Sequence, residues 1–176
     1  MAPQSAHEAF EAAVLPHLDA AYNLARWLMR SGNDAEDVVQ EAMVRALTYF
    51  PSFRGTNPRG WLLQIVRNAA FASMKLNRGT MSVSVDSPQI DPAALTDPGD
   101  DPEVSLMKRQ DRGRVTQAIG ALEVELREIL VLRELQELSY KEIAQITGTP
   151  IGTVMSRLWR ARRILAATLK AAEAAS

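Results

Sequence analysis

The sequence predicts an all-α chain of two small helical modules, and three observations carry that reading. Apolar residues recur at spacings of three and four through both halves, and no stretch alternates in polarity for long enough to make a strand. Between the halves, Met81 to Ser105 holds Pro88, Pro92, Pro98 and Pro102 among Asp86, Asp91, Asp97, Asp100, Asp101 and Glu103. Such a composition assembles no apolar face able to offset the entropy of ordering the chain, so it reads as a flexible acidic linker. The 176 residues therefore divide into 1–80, a linker at 81–105, and 106–176.

In the first module the pattern predicts a helix from near Glu8 to Met29, bent around Pro16, then Asp34 to Tyr49, then Pro58 to Arg78. Gly32 and the turn Gly55-Thr56-Asn57-Pro58 separate them. Asp34 is the expected cap of the second helix, with Val38, Ala42 and Leu47 toward the core. Asp37, Gln40, Glu41 and Val44 then share another face, a carboxylate and amide surface suited to a basic partner helix.

The third segment, Phe53 to Asn68, joins a Gly/Pro loop to aromatics, arginines and an amide, a mixture able to stack on an unpaired base and hold nearby phosphates. Trp61, Leu62, Ile65 and Val66 follow helical spacing and fit a plain core. Asn68, one turn beyond Ile65, presents a donor and an acceptor together, as a base edge requires.

In the second module, helices are expected over Pro102 to Ala121, Glu123 to Leu135, Tyr140 to Thr147 and Pro150 to about Ala171. Ser139 with Glu142 forms a capping box, and Gly148 supplies a left-handed stop. Thr149 and Pro150 are the expected cap and first residue of the next helix, which completes a helix-turn-helix layout. Ile151, Val154, Leu158, Ala161 and Leu165 make one inward stripe. At about 100° per residue, Thr153, Ser156, Arg160 and Arg163 point within roughly 40° of the opposite side, flanked by Met155 and Trp159 on one edge and Arg157 on the other. No acid lies between Pro150 and Ala172, so this face suits the major groove, where arginine bonds guanine edges and phosphates. Trp159 fits a core position or a place along the DNA backbone equally well.

Net charge is -1, but its distribution matters more than its sum. Every acid of the linker is unopposed by a base, whereas residues 106–176 carry an excess of Lys and Arg. Zero cysteines exclude disulfides, thiolate zinc sites and a cysteine nucleophile. No apolar run approaches the roughly 20 residues that span a bilayer, and no basic-then-apolar leader opens the chain, so a cytoplasmic protein without membrane insertion is expected. His7 and His17 lack ligand partners at metal spacing, the Asp97 to Glu103 cluster lacks the spacing of a calcium loop, and no phosphate loop occurs. No enzyme activity, cofactor or metal is expected.

The runs Leu130 to Leu135, Leu138 to Ala144 and Thr149 to Arg163 together resemble region four of extracytoplasmic-function (ECF) sigma factors, group IV of the bacterial sigma-70 family. Asp34 to Leu47 resembles the region-two helix with which that family grips the largest subunit of RNA polymerase, and Phe53 to Asn68 its promoter-melting loop and helix. The resemblance implies polymerase contacts at Asp37, Gln40 and Glu41. It implies minus-10 contacts at Arg54, Asn57, Arg59, Trp61 and Asn68, and minus-35 contacts at Thr153, Met155, Ser156, Arg157, Trp159, Arg160 and Arg163. Met155, Gln64 and Ala72 depart from residues common in the family. The implied function is an alternative sigma factor whose partners are core RNA polymerase, promoter DNA and an anti-sigma factor. A dimeric helix-turn-helix operator-binding regulator and a sigma-like decoy that sequesters an anti-sigma protein stand as rival readings.

Overall fold

The computed structural model describes residues 5–78 and 102–175, with side chains at 5–77 and 109–175; residues 79–101, which include most of the linker expected at 81–105, lie outside the described residues. Within them the fold is all-α, two helical bundles with no strand.

The first bundle begins with α1, Ala6–Val14, started by a capping box in which the Glu8 amide donates to Ser5 Oγ (3.2 Å) and the Ser5 amide to Glu8 Oε2 (3.1 Å). Pro16 breaks the expected long helix into α1, a 3₁₀ turn at Leu15–His17 and α2 at Leu18–Leu28, because proline lacks the amide the helix would use. Next, α3 spans Gly32–Tyr49. Its cap is Ser31, whose Oγ accepts from the Asp34 amide at 3.1 Å, so Asp34 is a first-turn acid and not the expected cap. The last helix of the bundle, α4, runs Pro58–Arg78. Asn57 caps it: Asn57 Oδ1 accepts from the Gly60 amide at 3.0 Å, and Pro58 follows in the first turn.

The α3 core stripe is Ala35, Val38, Val39, Ala42 and Ala46. Leu47 corrects the sequence reading: it is half-exposed. Nine residues at about 100° each place it a half-turn from Val38, on the opposite face.

In the second bundle, α5 spans Pro102–Gly120, α6 Val124–Leu130, α7 Tyr140–Thr147 and α8 Ile151–Ala174. The expected helix from Glu123 to Leu135 is instead α6 followed by one π-helical turn at Val131–Leu135, where the Gln136 amide donates to Val131 O at 3.0 Å. Glu137 then takes a left-handed φ of 56°, which turns the chain toward α7.

The capping box at Ser139 is formed, with the Glu142 amide donating to Ser139 Oγ (3.1 Å) and the Ser139 amide to Glu142 Oε2 (2.8 Å). Gly148 ends α7 at φ 65°, a conformation that costs a residue with a Cβ roughly 1–2 kcal/mol. The cap of α8 is Pro150, one residue later than expected, and Thr149 Oγ1 pairs instead with Thr147 Oγ1 at 2.8 Å.

Val154, Leu158 and Ala161 are buried and Leu165 half-buried, but Ile151 in the first turn of α8 is exposed, contrary to its place in the predicted stripe. With Met155 and Trp159, each four residues on, it forms an apolar edge open to solvent.

The buried side chains of the two bundles make one continuous core, from Phe10, Leu24 and Leu62 through Ile129 and Leu132 to Ile143 and Leu158. Helix α2 packs on α6, and α4 on α7. Each fully buried leucine or isoleucine contributes roughly 1.5–3 kcal/mol.

Candidate nucleic-acid and polymerase interface

Three surfaces carry the candidate residues. On α3, Asp37, Gln40 and Glu41 are exposed, and Val44 and Leu47 lie on the same side. Glu41 accepts from Arg45 Nη2 at 2.6 Å, one turn along. The face is therefore acidic with an apolar centre, matching the sequence expectation and adding Leu47 to it.

The second surface is the loop between α3 and α4 and the first turns of α4. Phe53 and Trp61 pack with ring centroids 4.8 Å apart, and Phe50 joins them at 6.2 Å and 6.3 Å. Trp61 is half-buried, while Leu62 and Val66 are core. Arg54 folds onto its own loop, donating from Nη1 to Pro51 O at 2.7 Å. Asn68 is exposed.

Asn57 and Arg59 reach across to the second bundle. Asn57 Nδ2 donates to Glu142 Oε1 at 3.3 Å. Arg59 Nη2 donates to Gln136 Oε1 (2.9 Å) and Gln136 O (2.5 Å). Between the loop and α7 lies a cavity of about 280 Å³ lined by Gly55, Thr56, Asn57, Gly60, Trp61 and Gln64 on one side and Glu142, Gln145 and Ile146 on the other.

The third surface is α8. Ser156, Trp159, Arg160 and Arg163 are exposed, Thr153 and Arg157 half-buried, and Met155 exposed. Trp159 is thus no core residue: 62% of it is open to solvent, and the Arg163 guanidinium lies 5.1 Å from its ring centre. Arg162, on the inward flank, is committed to Glu134, which holds its guanidinium pKa above the ordinary value chiefly through their hydrogen bond. Its neighbours Arg160 and Arg163 leave a basic, hydroxyl-bearing face with no carboxylate on its own helix before Glu173.

Sequence reasoning missed the charges between the bundles. Arg67 Nε donates to Glu128 Oε1 at 2.6 Å, with the glutamate wholly buried and the arginine side chain 20% exposed. Burial pushes the Glu128 carboxyl above its usual range, while Arg67 and more distant Arg157 pull it back. One signal was available: Glu128 is the single acid inside the apolar run Leu126 to Leu132. Among the described residues, no group of three or more His, Cys, Asp or Glu is placed to hold a metal, and no helix is long and apolar enough to cross a membrane.

Comparison with known proteins resolves the family. Residues 13–78 match Sigma-70 region 2, and residues 112–165 match Sigma-70 region 4, in that order along the chain. Over 164 residues the chain is 34% identical to the ECF RNA polymerase sigma-E factor of Escherichia coli, covering 90% of this chain and 85% of that protein. The chain belongs to the ECF group of the sigma-70 family.

A second ECF sigma factor, SigE of Mycolicibacterium smegmatis, is 31% identical over 162 residues; the match spans 92% of this chain and 62% of that longer protein. Among solved structures, the sigma factor RpoE in complex with the anti-sigma factor NepR from Bartonella quintana superimposes with a TM-score of 0.76 at 28% identity, covering 93% of this chain and 98% of that one. CnrH in complex with the cytosolic domain of CnrY gives 0.64 at 27% identity, covering 94% and 90%. An ECF sigma factor is a non-catalytic transcription regulator, so the three surfaces are read as binding surfaces and no residue is assigned a catalytic role.

Proposed function

We propose that this chain is a cytoplasmic alternative sigma factor that binds core RNA polymerase and directs it to a particular set of promoters. Residues 1–80 act as region two and 106–176 as region four, joined by the acidic linker 81–105. The observation that carries this reading is the occurrence, in one chain, of an exposed acidic face on α3, within residues 13–78, and an acid-free arginine face on α8, whose arginines lie within residues 112–165.

In this reading, Asp37, Gln40 and Glu41 dock on basic groups of the polymerase, with Val44 and Leu47 burying apolar area at the centre of the contact. Thr153, Ser156, Arg160 and Arg163 enter the major groove of the upstream duplex, where the arginines can bond guanine edges. Met155 and Trp159 lie along one border of that contact and Arg157 along the other.

Arg54, Asn57, Arg59, Trp61 and Asn68 form the downstream, strand-capturing surface. Stacking on an aromatic ring is worth about 1–3 kcal/mol per base, and captured bases offset the cost of separating the strands. The chain hydrolyses nothing; binding energy opens the duplex. The solved complexes of RpoE with NepR and of CnrH with CnrY support an anti-sigma factor as a further partner. Against a dimeric operator-binding regulator stands the region-two match over residues 13–78, where such a protein would carry a sensing or oligomerisation module.

Strand capture is tested at Asn68, which is exposed and outside the core. In Asn68→Ala, holoenzyme is expected to hold duplex promoter DNA as before, while permanganate reactivity of the promoter thymines falls severalfold. Undiminished reactivity removes Asn68 from the opening step.

A further inference from the structure

Arginines and hydroxyls account for only part of the exposed surface of α8. Beside them Ile151, Met155 and Trp159 stand 46%, 51% and 62% open to solvent, three large apolar side chains that the bundle does not cover. Each is four residues from the next, so they form one row about 12 Å long, roughly the height of three to four base pairs. Members of such a row advance about 40° around the helix at each step. The row therefore starts at Ile151 on the side of buried Leu158, passes through Met155 and Trp159, and meets the outward basic face at Arg163. There the Arg163 guanidinium lies 5.1 Å from the Trp159 ring centre.

We propose that this row makes α8 a reader of thymine, with Met155 the specificity-determining side chain that packs on a thymine C5 methyl in the major groove of the upstream element. The inference rests on the reading of α8 as the duplex-contacting helix, and goes beyond it by naming the base.

Thymine is the one base whose major-groove edge carries an apolar group, and apolar side chains are the contact that suits it. Met155 has no strong donor or acceptor with which to answer a polar base edge, and Ile151 and Trp159, one turn away on either side, extend its apolar surface. A guanine or cytosine placed there would leave its oxygen or amino group facing carbon, at the cost of desolvating that group. An unbranched thioether also adapts its shape to a neighbouring methyl. The next residue points the same way. Ser156 Oγ donates to Thr153 O at 3.1 Å, so its hydrogen is engaged and its lone pairs are left to accept from the N6 amino group of adenine, the partner of thymine. Met155 is, besides, one of the positions at which this chain departs from residues common in the family.

Two features favour DNA over a protein as the cover for this row. It is continuous with the arginine face, and α8 carries no acid before Glu173, so a polyanion approaches without repulsion. Gly152 is exposed, and a Cβ there would meet nothing within 4 Å. At about 100° per residue it lies within about 20° of Trp159 around the helix, which leaves bare backbone beside the row where a sugar-phosphate strand can come close.

Met155 is exposed, so its substitution leaves the core as it was, which circular dichroism checks. Core polymerase carrying the full-length chain is used to select from duplexes whose upstream element is randomised within a promoter mapped by run-off transcription. Selected duplexes should hold thymine at one or two adjoining positions. Replacing those thymines by deoxyuridine removes the methyl alone and should weaken holoenzyme binding roughly fourfold for each methyl lost. Holoenzyme with Met155→Ala should bind the thymine and deoxyuridine duplexes equally, and Met155→Arg should move the preference at that position to guanine by roughly tenfold or more. Selection without thymine, or equal binding of the two duplexes by the unaltered chain, overturns the proposal, and so does a methyl effect undiminished in Met155→Ala. Loss of polymerase binding in Met155→Ala would show the row to be covered by protein and overturn it as well. Each of these results leaves promoter choice by the chain standing, whereas a holoenzyme that selects no sequence at all removes the sigma-factor reading and the thymine contact with it.

Discussion

Reversing two charges on α3, Asp37→Arg together with Glu41→Arg, is expected to abolish co-purification of the chain with core RNA polymerase. Both side chains are exposed, so neither contributes to the core, and the apolar stripe from Ala35 to Ala46 on the other side of the helix is untouched. The local cost is small. The new arginine at position 41 sits one turn from Arg45, a like-charge pair worth about 0.2–0.5 kcal/mol on a helix. At an interface, close charge pairs are coupled by about 1.5–7 kcal/mol, and reversal replaces attraction with repulsion. Even about 3 kcal/mol is a loss of roughly a hundredfold in affinity. The measurement is pull-down of core subunits by the tagged variant, with circular dichroism to show that the helices remain. Normal recovery of polymerase would remove α3 from the docking surface.

The second large effect is expected on α8. Arg160→Ala should cut transcription from cognate promoters roughly fivefold to a hundredfold, the equivalent of losing about 1–3 kcal/mol from one arginine–base contact, while leaving polymerase binding intact. Arg160 is exposed and lies opposite buried Leu158, so truncation leaves the core as it was. Its neighbour Arg162 serves as an internal control, because that guanidinium is committed to Glu134 in an exposed ion pair. Arg162→Ala should lose a surface ion pair, worth about 0–1 kcal/mol, with little change in promoter selection. Transcription and polymerase binding falling together in Arg160→Ala would contradict a DNA-reading role.

The residues that made the fold legible in the sequence are those whose effects are local. Apolar spacing located the long helices among the described residues, though it joined α1 to α2 and passed over the 3₁₀ turn at Phe50–Ser52, and Ser139, Glu142 and Gly148 marked the helix-turn-helix because a capping box and a left-handed stop each involve residues within four positions of one another. The errors were also local. Ser31 was passed over for Asp34 as a cap, Leu47 was placed inward although it lies a half-turn from Val38, and the π-helical turn at Val131–Leu135 leaves no periodic trace in so short a stretch.

What no local rule reaches is the union of the bundles. Arg67 and Glu128 are sixty-one positions apart, and Arg59 and Gln136 seventy-seven. Periodicity assigns each to a helix or a turn and says nothing of what that element faces. The candidate site was legible in the same partial way. Exposure of Asp37, Arg160 and Asn68 follows from helical phase, but the engagement of Asn57 by Glu142 depends on a tertiary contact that the sequence does not announce.

The account depends on this chain conferring promoter choice on an enzyme that it does not itself contain. Run-off transcription with purified core RNA polymerase and genomic fragments, with and without the chain, tests that directly. Discrete transcripts whose start sites appear only when the chain is added are the predicted result. An identical set of transcripts in both reactions, or none in either from a core preparation active with another sigma factor, would contradict it.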